Sequence, residues 1–259
     1  MKKILITGGA GFIGYHLAKR LLRDNYQIDL LDNFDRGVKD SSLIELLKNK
    51  NVNFLNINLM DSKAYKSLQS DYEYIYHLAA IVGVQNVINS PSLVLINNFL
   101  LLNNALTISK NQNNLKRFIF ASTSEVYAGT LKYFKIKFPT PEDTPLSVGE
   151  LQEERTSYML SKIYGEALCL QSGIPSTIIR PHNIYGPRMG LSHVIPELMQ
   201  KIINSNNNEL DVYSTDHKRT FCFIKDAVEM IKLLAESPKS IGDQYNVGNE
   251  NEEITMNDL

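Results

Sequence analysis

The sequence predicts an α/β protein built on a doubly wound parallel sheet, and three observations predict it. Short β-type runs alternate with helical periodicity through the first 180 residues, the pattern of a parallel sheet covered on both faces. A glycine-rich turn separates the first strand from the first helix. Polar residues then recur where the predicted strands end: Gly8 and Gly9, Asp32, His77, Ser122 to Glu125, and His182 with Asn183. Open sheets of this kind bind ligands outside the carboxyl ends of their strands, so this regularity supports the fold more strongly than any one motif.

The elements follow in order. Residues 3–7 (KILIT) are a short β-type run, and 12–23 carry helical apolar periodicity. A strand at 27–31, a helix at 43–48 and a strand at 52–56 come next. A short helix at 63–68 precedes a strand at 74–77, and a helix at 92–110 leads to a strand at 117–121. The stretch 129–150 holds Pro139, Pro141 and Pro145 and is expected to be irregular. A helix at 157–172 and a strand at 176–180 complete the alternation, and no internal repeat stands out.

Composition limits the function classes. The 259 residues, 43% hydrophobic, suffice for one large α/β domain or a domain with a small appendage, with a core that needs no disulfide or metal. A net charge of −1 gives no electrostatic reason to expect a nucleic-acid surface. Cys169 and Cys222 lie far apart without metal-type spacing and read as buried thiols of a reducing compartment. The first apolar run, Ile4 to Ile6, is too short for a secretory signal, and the stretch 93–106 is broken by four asparagines. A soluble cytoplasmic protein without a membrane partner is therefore expected. His182, His193 and His217 show no metal spacing, and no metal is assigned.

Gly8, Gly11 and Gly14 form G-x-x-G-x-x-G between a strand and a helix. Such glycines permit a tight turn and let backbone approach a pyrophosphate at the helix N-terminus. Asp32 follows Gly14 by 18 residues, at the end of the second strand, where a carboxylate can bind both ribose hydroxyls. Its charge repels a 2′-phosphate and so favours NAD over NADP, on a Rossmann-type sheet. Tyr158 and Lys162 stand four apart, on one face of the predicted helix. An ammonium beside a phenol favours the phenolate and lowers its pKa, making Tyr158 a base for a hydroxyl proton as hydride leaves the same carbon.

TGGAGFIG at the start, HLAA at 77–80, Pro91 with Asn98, STSEVY at 122–127, Tyr158 with Lys162, RPHNIYGP at 180–187 and R-x-F-x-x-I-x-D at 219–226 stand in one order along nearly the whole chain. Together they resemble the extended short-chain dehydrogenases/reductases, in their NAD-dependent nucleotide-sugar epimerase/dehydratase branch. The resemblance implies Tyr158 as base, Lys162 as its aid and a ligand of the nicotinamide ribose, and Thr123 as a hydroxyl on the sugar, with Ser122 and Ser124 beside it. It implies an NAD shell of Gly8, Gly11, Phe12, Ile13, Gly14, Asp32, Asn33, Asn58, Leu59, Leu78, Ala79, Ala80 and Asn98 together with Tyr158 and Lys162. Asn58 stands where the family has an aspartate against adenine. Asn183 and the segment starting His193-Val194 should face the substrate nucleotide, and Arg219 its diphosphate. An Asx-turn for Asn183 and a surface ion pair for Arg219 are the competing readings. His77 reads as a loop histidine lining the cofactor.

By the same resemblance, 1–180 is an NAD-binding domain carrying the catalytic residues. Residues 181–259 are mainly a small substrate-binding part, and the family continues past residue 259, so this part is expected to be C-terminally incomplete. The helices 92–110 and 157–172 resemble a pair that forms homodimers, though their apolar content equally suits packing on the sheet. The implied reaction modifies a nucleotide-diphosphate sugar through a 4-keto intermediate, with 4-epimerisation expected first. A UDP-glucuronate decarboxylase-like reaction or a 4,6-dehydration is the alternative, and a catalytically silent nucleotide-binding protein is the alternative of another class. Dehydratases of the dTDP-glucose type carry Thr-Asp-Glu where this chain has Thr123-Ser124-Glu125, whereas Thr-Ser-Glu resembles UDP-glucuronate decarboxylases and also GDP-mannose dehydratases, which usually take the NADP that Asp32 disfavours. Glu125 stays open between a solvated charge, a ligand of a sugar hydroxyl and a base near C5.

Overall fold

The computed structural model describes residues 1–205, 212, 214–251 and 253–259. The first half runs β1 (Lys3–Thr7), α1 (Phe12–Leu21), β2 (Gln27–Asp32), α2 (Ser41–Leu46), β3 (Val52–Asn56), β4 (Tyr74–His77), α3 (Val84–Asn89), α4 (Pro91–Lys110) and β5 (Arg117–Ala121). Then come α5 (Ala128–Tyr133), α6 (Glu154–Gln171), β6 (Ser176–Pro181), β7 (Ile184–Tyr185), α7 (Val194–Asn204), β8 (Lys218–Arg219) and β9 (Cys222–Phe223). The described chain ends with α8 (Ile224–Glu236), β10 (Gln244–Val247) and β11 (Ile254–Thr255).

Seven strands form one sheet in the order β10-β6-β5-β4-β1-β2-β3, all neighbours parallel. Because strand residues alternate faces, each run feeds two cores. Ile4, Ile6, Ile119 and Ile179 pack with α1, α2 and α8, whereas Leu5, Phe118, Phe120 and Ile178 pack with α4 and α6. The crossover direction reverses between β1 and β4, the switch point beyond whose strand carboxyl ends sheets of this kind form their ligand crevice. The C-terminal part returns to this sheet through β10, which pairs with β6. Two small pairs, β7 with β9 and β8 with β11, lie apart from it.

Several helical segments depart from the sequence expectation. α5 lies inside the stretch expected to be irregular: the Thr130 hydroxyl donates to Pro145 O (2.6 Å) and accepts from Ser147 N, which pins the helix under the proline-rich loop. α3, a six-residue helix entered from Gly83 at φ +103°, was not anticipated. The expected helix 63–68 is a single 3-10 turn, Ala64–Ser67, and α6 begins three residues earlier than expected. α4 is long and apolar enough to cross a membrane by length and composition, and half of that window is buried inside the fold. Two of its asparagines are buried and used: Asn104 donates to Leu59 O, and Asn98 clamps both backbone groups of Ile81. The opposite side of α4, with Leu93, Ile96 and Phe99, is exposed next to Tyr164 of α6.

Candidate active site

The glycines after β1 are fixed by contact. Gly8 has φ +73°, and a Cβ there would lie 2.9 Å from Ala79 N, so the loops after β1 and β4 touch. A Cβ on Gly14 would stand 2.3 Å from Gly8 O, so α1 starts directly against the turn. No side chain caps α1 and no acid lies in its first turn, which leaves the N–H groups of Phe12, Ile13 and Gly14 at a positive helix end without a side-chain partner. Asp32, buried at the end of β2, accepts from Ala10 N (3.0 Å) and Phe34 N (2.8 Å). Burial raises its pKa, and these two N–H groups oppose the rise. A cradle that excludes a Cβ at two positions, an uncapped helix and a carboxylate at the second strand suit a dinucleotide.

Other expected cofactor residues are spread around this crevice. Leu78, Ala79 and Ala80 follow β4, where the Thr7 hydroxyl accepts from Ala79 N and contacts His77 Nδ1 at 2.8 Å. His77 is stacked near Phe118 and Phe120, and burial pushes its pKa down to about 3, so it is a neutral structural ring. Asn33 and Asp35 bond each other, and the Asn58 side chain accepts from Met60 N within its own turn. Leu59 is buried, and Asn98 bonds Ile81 and Ser161.

Thr123, Glu125, Tyr158 and Lys162 meet at the mouth of β5. Thr123 Oγ1 accepts from Glu125 N (3.3 Å) and starts the 3-10 turn Ser124–Tyr127. The Thr123 side chain and the Glu125 charge both act on the Tyr158 phenol, Thr123 favouring the phenolate and Glu125 opposing it. One turn later on α6, Lys162 Nζ donates to Ala121 O (2.7 Å), lies 5.0 Å from the Phe120 ring centroid and 5.8 Å from that of Tyr158. Burial lowers its pKa to about 8.

The expected lowering of the Tyr158 pKa is corrected by this geometry. Burial and then Glu125 raise it well above the ordinary value, against smaller opposing effects of Thr123 and Arg36. Lys162, with its pKa of about 8, is still largely protonated at neutral pH, but its hydrogen bond goes to Ala121 O and not to the phenol. Ser122 is also corrected: its hydroxyl is buried and donates to Glu166 Oε1 (2.5 Å), which the Arg180 guanidinium grips from the far side. It supports the floor of the crevice instead of lining it.

Asn183 has φ 39° and donates from its side chain to Thr220 O (3.0 Å), tying the end of β6 to the residue after Arg219. Arg219 is exposed on β8, and His193 precedes Val194 at the start of α7. Two arginines were missed. Arg155 Nη2 contacts Glu125 Oε2 at 3.3 Å; its position three residues before Tyr158 was a readable signal, because i and i+3 share a helix face. Arg36 reaches from the loop after β2 toward Gly83, where an added Cβ would lie 3.8 Å from Nη2, and its charge acts on Tyr158 and His193. No local pattern in the sequence marks it.

A model of the NAD dependent epimerase/dehydratase family matches residues 4–248. The chain is 36% identical over 259 residues to a UDP-N-acetyl-alpha-D-glucosaminuronate decarboxylase of Bacillus cytotoxicus, covering 97% of this chain and 76% of the relative. It is 31% identical over 264 residues to a dTDP-D-glucose 4,6-dehydratase of Dictyostelium discoideum, covering 96% of this chain and 58% of the relative. Among solved structures, the UDP-N-acetylglucosamine 4-epimerase from Methanobrevibacter ruminantium M1 superposes with a TM-score of 0.77 at 27% identity, over 100% of this chain and 79% of that one.

Proposed function

The chain belongs to the NAD dependent epimerase/dehydratase family, and on that premise we propose that it decarboxylates a nucleoside-diphosphate hexuronic acid through a 4-keto intermediate. It is an NAD-dependent enzyme of a family whose relatives epimerise, dehydrate or decarboxylate nucleotide sugars. The observation that carries the finer reading is Glu125 beside Tyr158, in a Thr-Ser-Glu order with no acid at Ser124. The 36% identical decarboxylase supports it. Epimerisation, the first expectation from sequence, needs no group in the position of Glu125 and is the second reading.

Gly8, Gly14, the start of α1 and Asp32 would hold NAD, which would supply the hydride acceptor for the sugar carbon and the hydride for its return. Tyr158 takes the C4 hydroxyl proton as the carbonyl forms, while Thr123 bonds the reacting oxygen. That role needs positive charge near the phenol, and Lys162 and Arg36 are the cations at hand. A C4 ketone makes the uronate a β-keto acid: the C5–C6 bond breaks, CO₂ leaves, and the electron pair passes to an enolate at C4. A proton then adds to C5, and we assign its relay to Glu125, which takes it from solvent and passes it to the carbanion carbon. Asn183, His193, Val194 and Arg219 are assigned to the nucleotide and its diphosphate, with Arg219 as the anion ligand.

Incubation with NAD⁺ and a panel of UDP-uronates and neutral UDP-sugars tests this, with products followed by mass and NMR. A uronate product lighter by CO₂ is expected. A neutral sugar changed without change of mass would establish epimerisation instead, and loss of water would establish dehydration.

A further inference from the structure

We propose that Arg155 recognises the sugar carboxylate, by exchanging its partner Glu125 for the substrate. This rests on the decarboxylase reading and names the residue that would select a uronate over a neutral sugar. Arg155 stands on α6 one turn before Tyr158, and Glu125 stands in the turn that Thr123 begins. Their contact is a single one, Nη2 to Oε2 at 3.3 Å, between side chains 62% and 39% exposed. An exposed pair of this kind stabilises a fold little. No other ion pair of Arg155 is found among the described residues, so most of its donor fork is free.

The sugar hydroxyl that meets Tyr158 is on C4, and the carboxylate hangs from the adjacent C5. A hexuronate held with O4 at Tyr158 and Thr123 therefore carries its negative charge into the space that Glu125 and Arg155 share. Two carboxylates facing one guanidinium repel each other, and the fork favours the partner that it can grip with two bonds. Binding of a uronate thus releases Glu125 from Arg155 toward C5. A neutral hexose offers no replacement, and Glu125 stays paired. Recognition of the substrate charge and liberation of the acid are then one event, which is selective because a neutral sugar leaves it undone.

The test uses the full chain with NAD⁺ and measures the affinity of UDP-glucuronate relative to UDP-glucose for wild type, Arg155→Gln and Arg155→Lys, with the KM and kcat of CO₂ release. Wild type is expected to favour the uronate. Arg155→Gln should reduce that preference by about tenfold to a hundredfold, the worth of a charged hydrogen-bonded contact, mainly through KM. Arg155→Lys should recover part of it, since the charge returns without the fork. A wild type that acts only on neutral sugars removes the decarboxylase reading and this role with it. A wild type that decarboxylates uronates, while Arg155→Gln keeps the same preference or weakens both sugars equally, removes the role of Arg155 alone.

Discussion

The Lys162 ammonium is enclosed between Phe120, Cys169 and Ala121 O, and its enclosure has a measurable consequence. Its folded pKa of about 8 lies below the ordinary 10.5. Between these values the unfolded chain holds a proton that the folded chain lacks, so the stability linked to Lys162 rises with pH across that window and is fully penalised below pH 8. Lys162→Met should therefore stabilise the NAD-free protein by about 2 kcal/mol at pH 7, after allowing for the hydrogen bond lost to Ala121. The gain should fade by pH 10.5, and turnover should be lost; thermal melts across that range check it. A melting temperature lowered equally at both ends would refute it. The Tyr158–Lys162 pair was legible in sequence because both residues lie on one helix, where spacing alone fixes a face. Ser122 with Glu166, and Arg36 over the cleft, were not legible, because tertiary packing joins residues that no local period relates.

At the scale of elements, α6 must lie close to β5 to bring Lys162 to Ala121. Gly165 makes that approach possible: a Cβ there would stand 2.5 Å from the Phe120 ring and 3.1 Å from Leu102. Phe120 is buried and cannot yield freely. Gly165→Ala should lower stability by about 1–3 kcal/mol, the cost of overpacking a filled core, and should weaken NAD binding by displacing Lys162. Urea denaturation and NAD titration read the two effects, and a variant as stable as wild type would contradict the close packing. The strands were easy to delimit because buried parallel strands are continuous apolar runs ended by glycine or polar residues, as in KILIT before Gly8. The short helices were not. α5 is six residues long and exists through Thr130 and the loop carrying Pro145, which is information held outside its own sequence.

The whole molecule is held as one unit by the return of its C-terminal part. β10 extends the sheet beyond β6, α8 packs along α1, and Arg20 reaches Glu229 across that helix pair. Arg117, on β5 and nearly fully buried, donates to Thr177, to Ser240 and to the carbonyls of Leu234 and Ser237 at the end of α8. Unfolding 181–259 alone would expose Ile224, Ala227, Val228 and Ile231, strip the edge of β6 and take from Arg117 its acceptors on Leu234, Ser237 and Ser240, leaving it Thr177 and Lys116 O. That cost opposes independent melting of the C-terminal part, so one transition is expected for the chain. Far-ultraviolet dichroism and tyrosine fluorescence (the chain has no tryptophan) should change together in urea. Arg117→Ala leaves several buried oxygens short of a donor and should cost about 2–4 kcal/mol while keeping the two signals coincident. An early transition seen by one probe, sharpened or shifted alone by Arg117→Ala, would mean that the C-terminal part is a separate folding unit and that the β6–β10 seam does not couple it to the sheet.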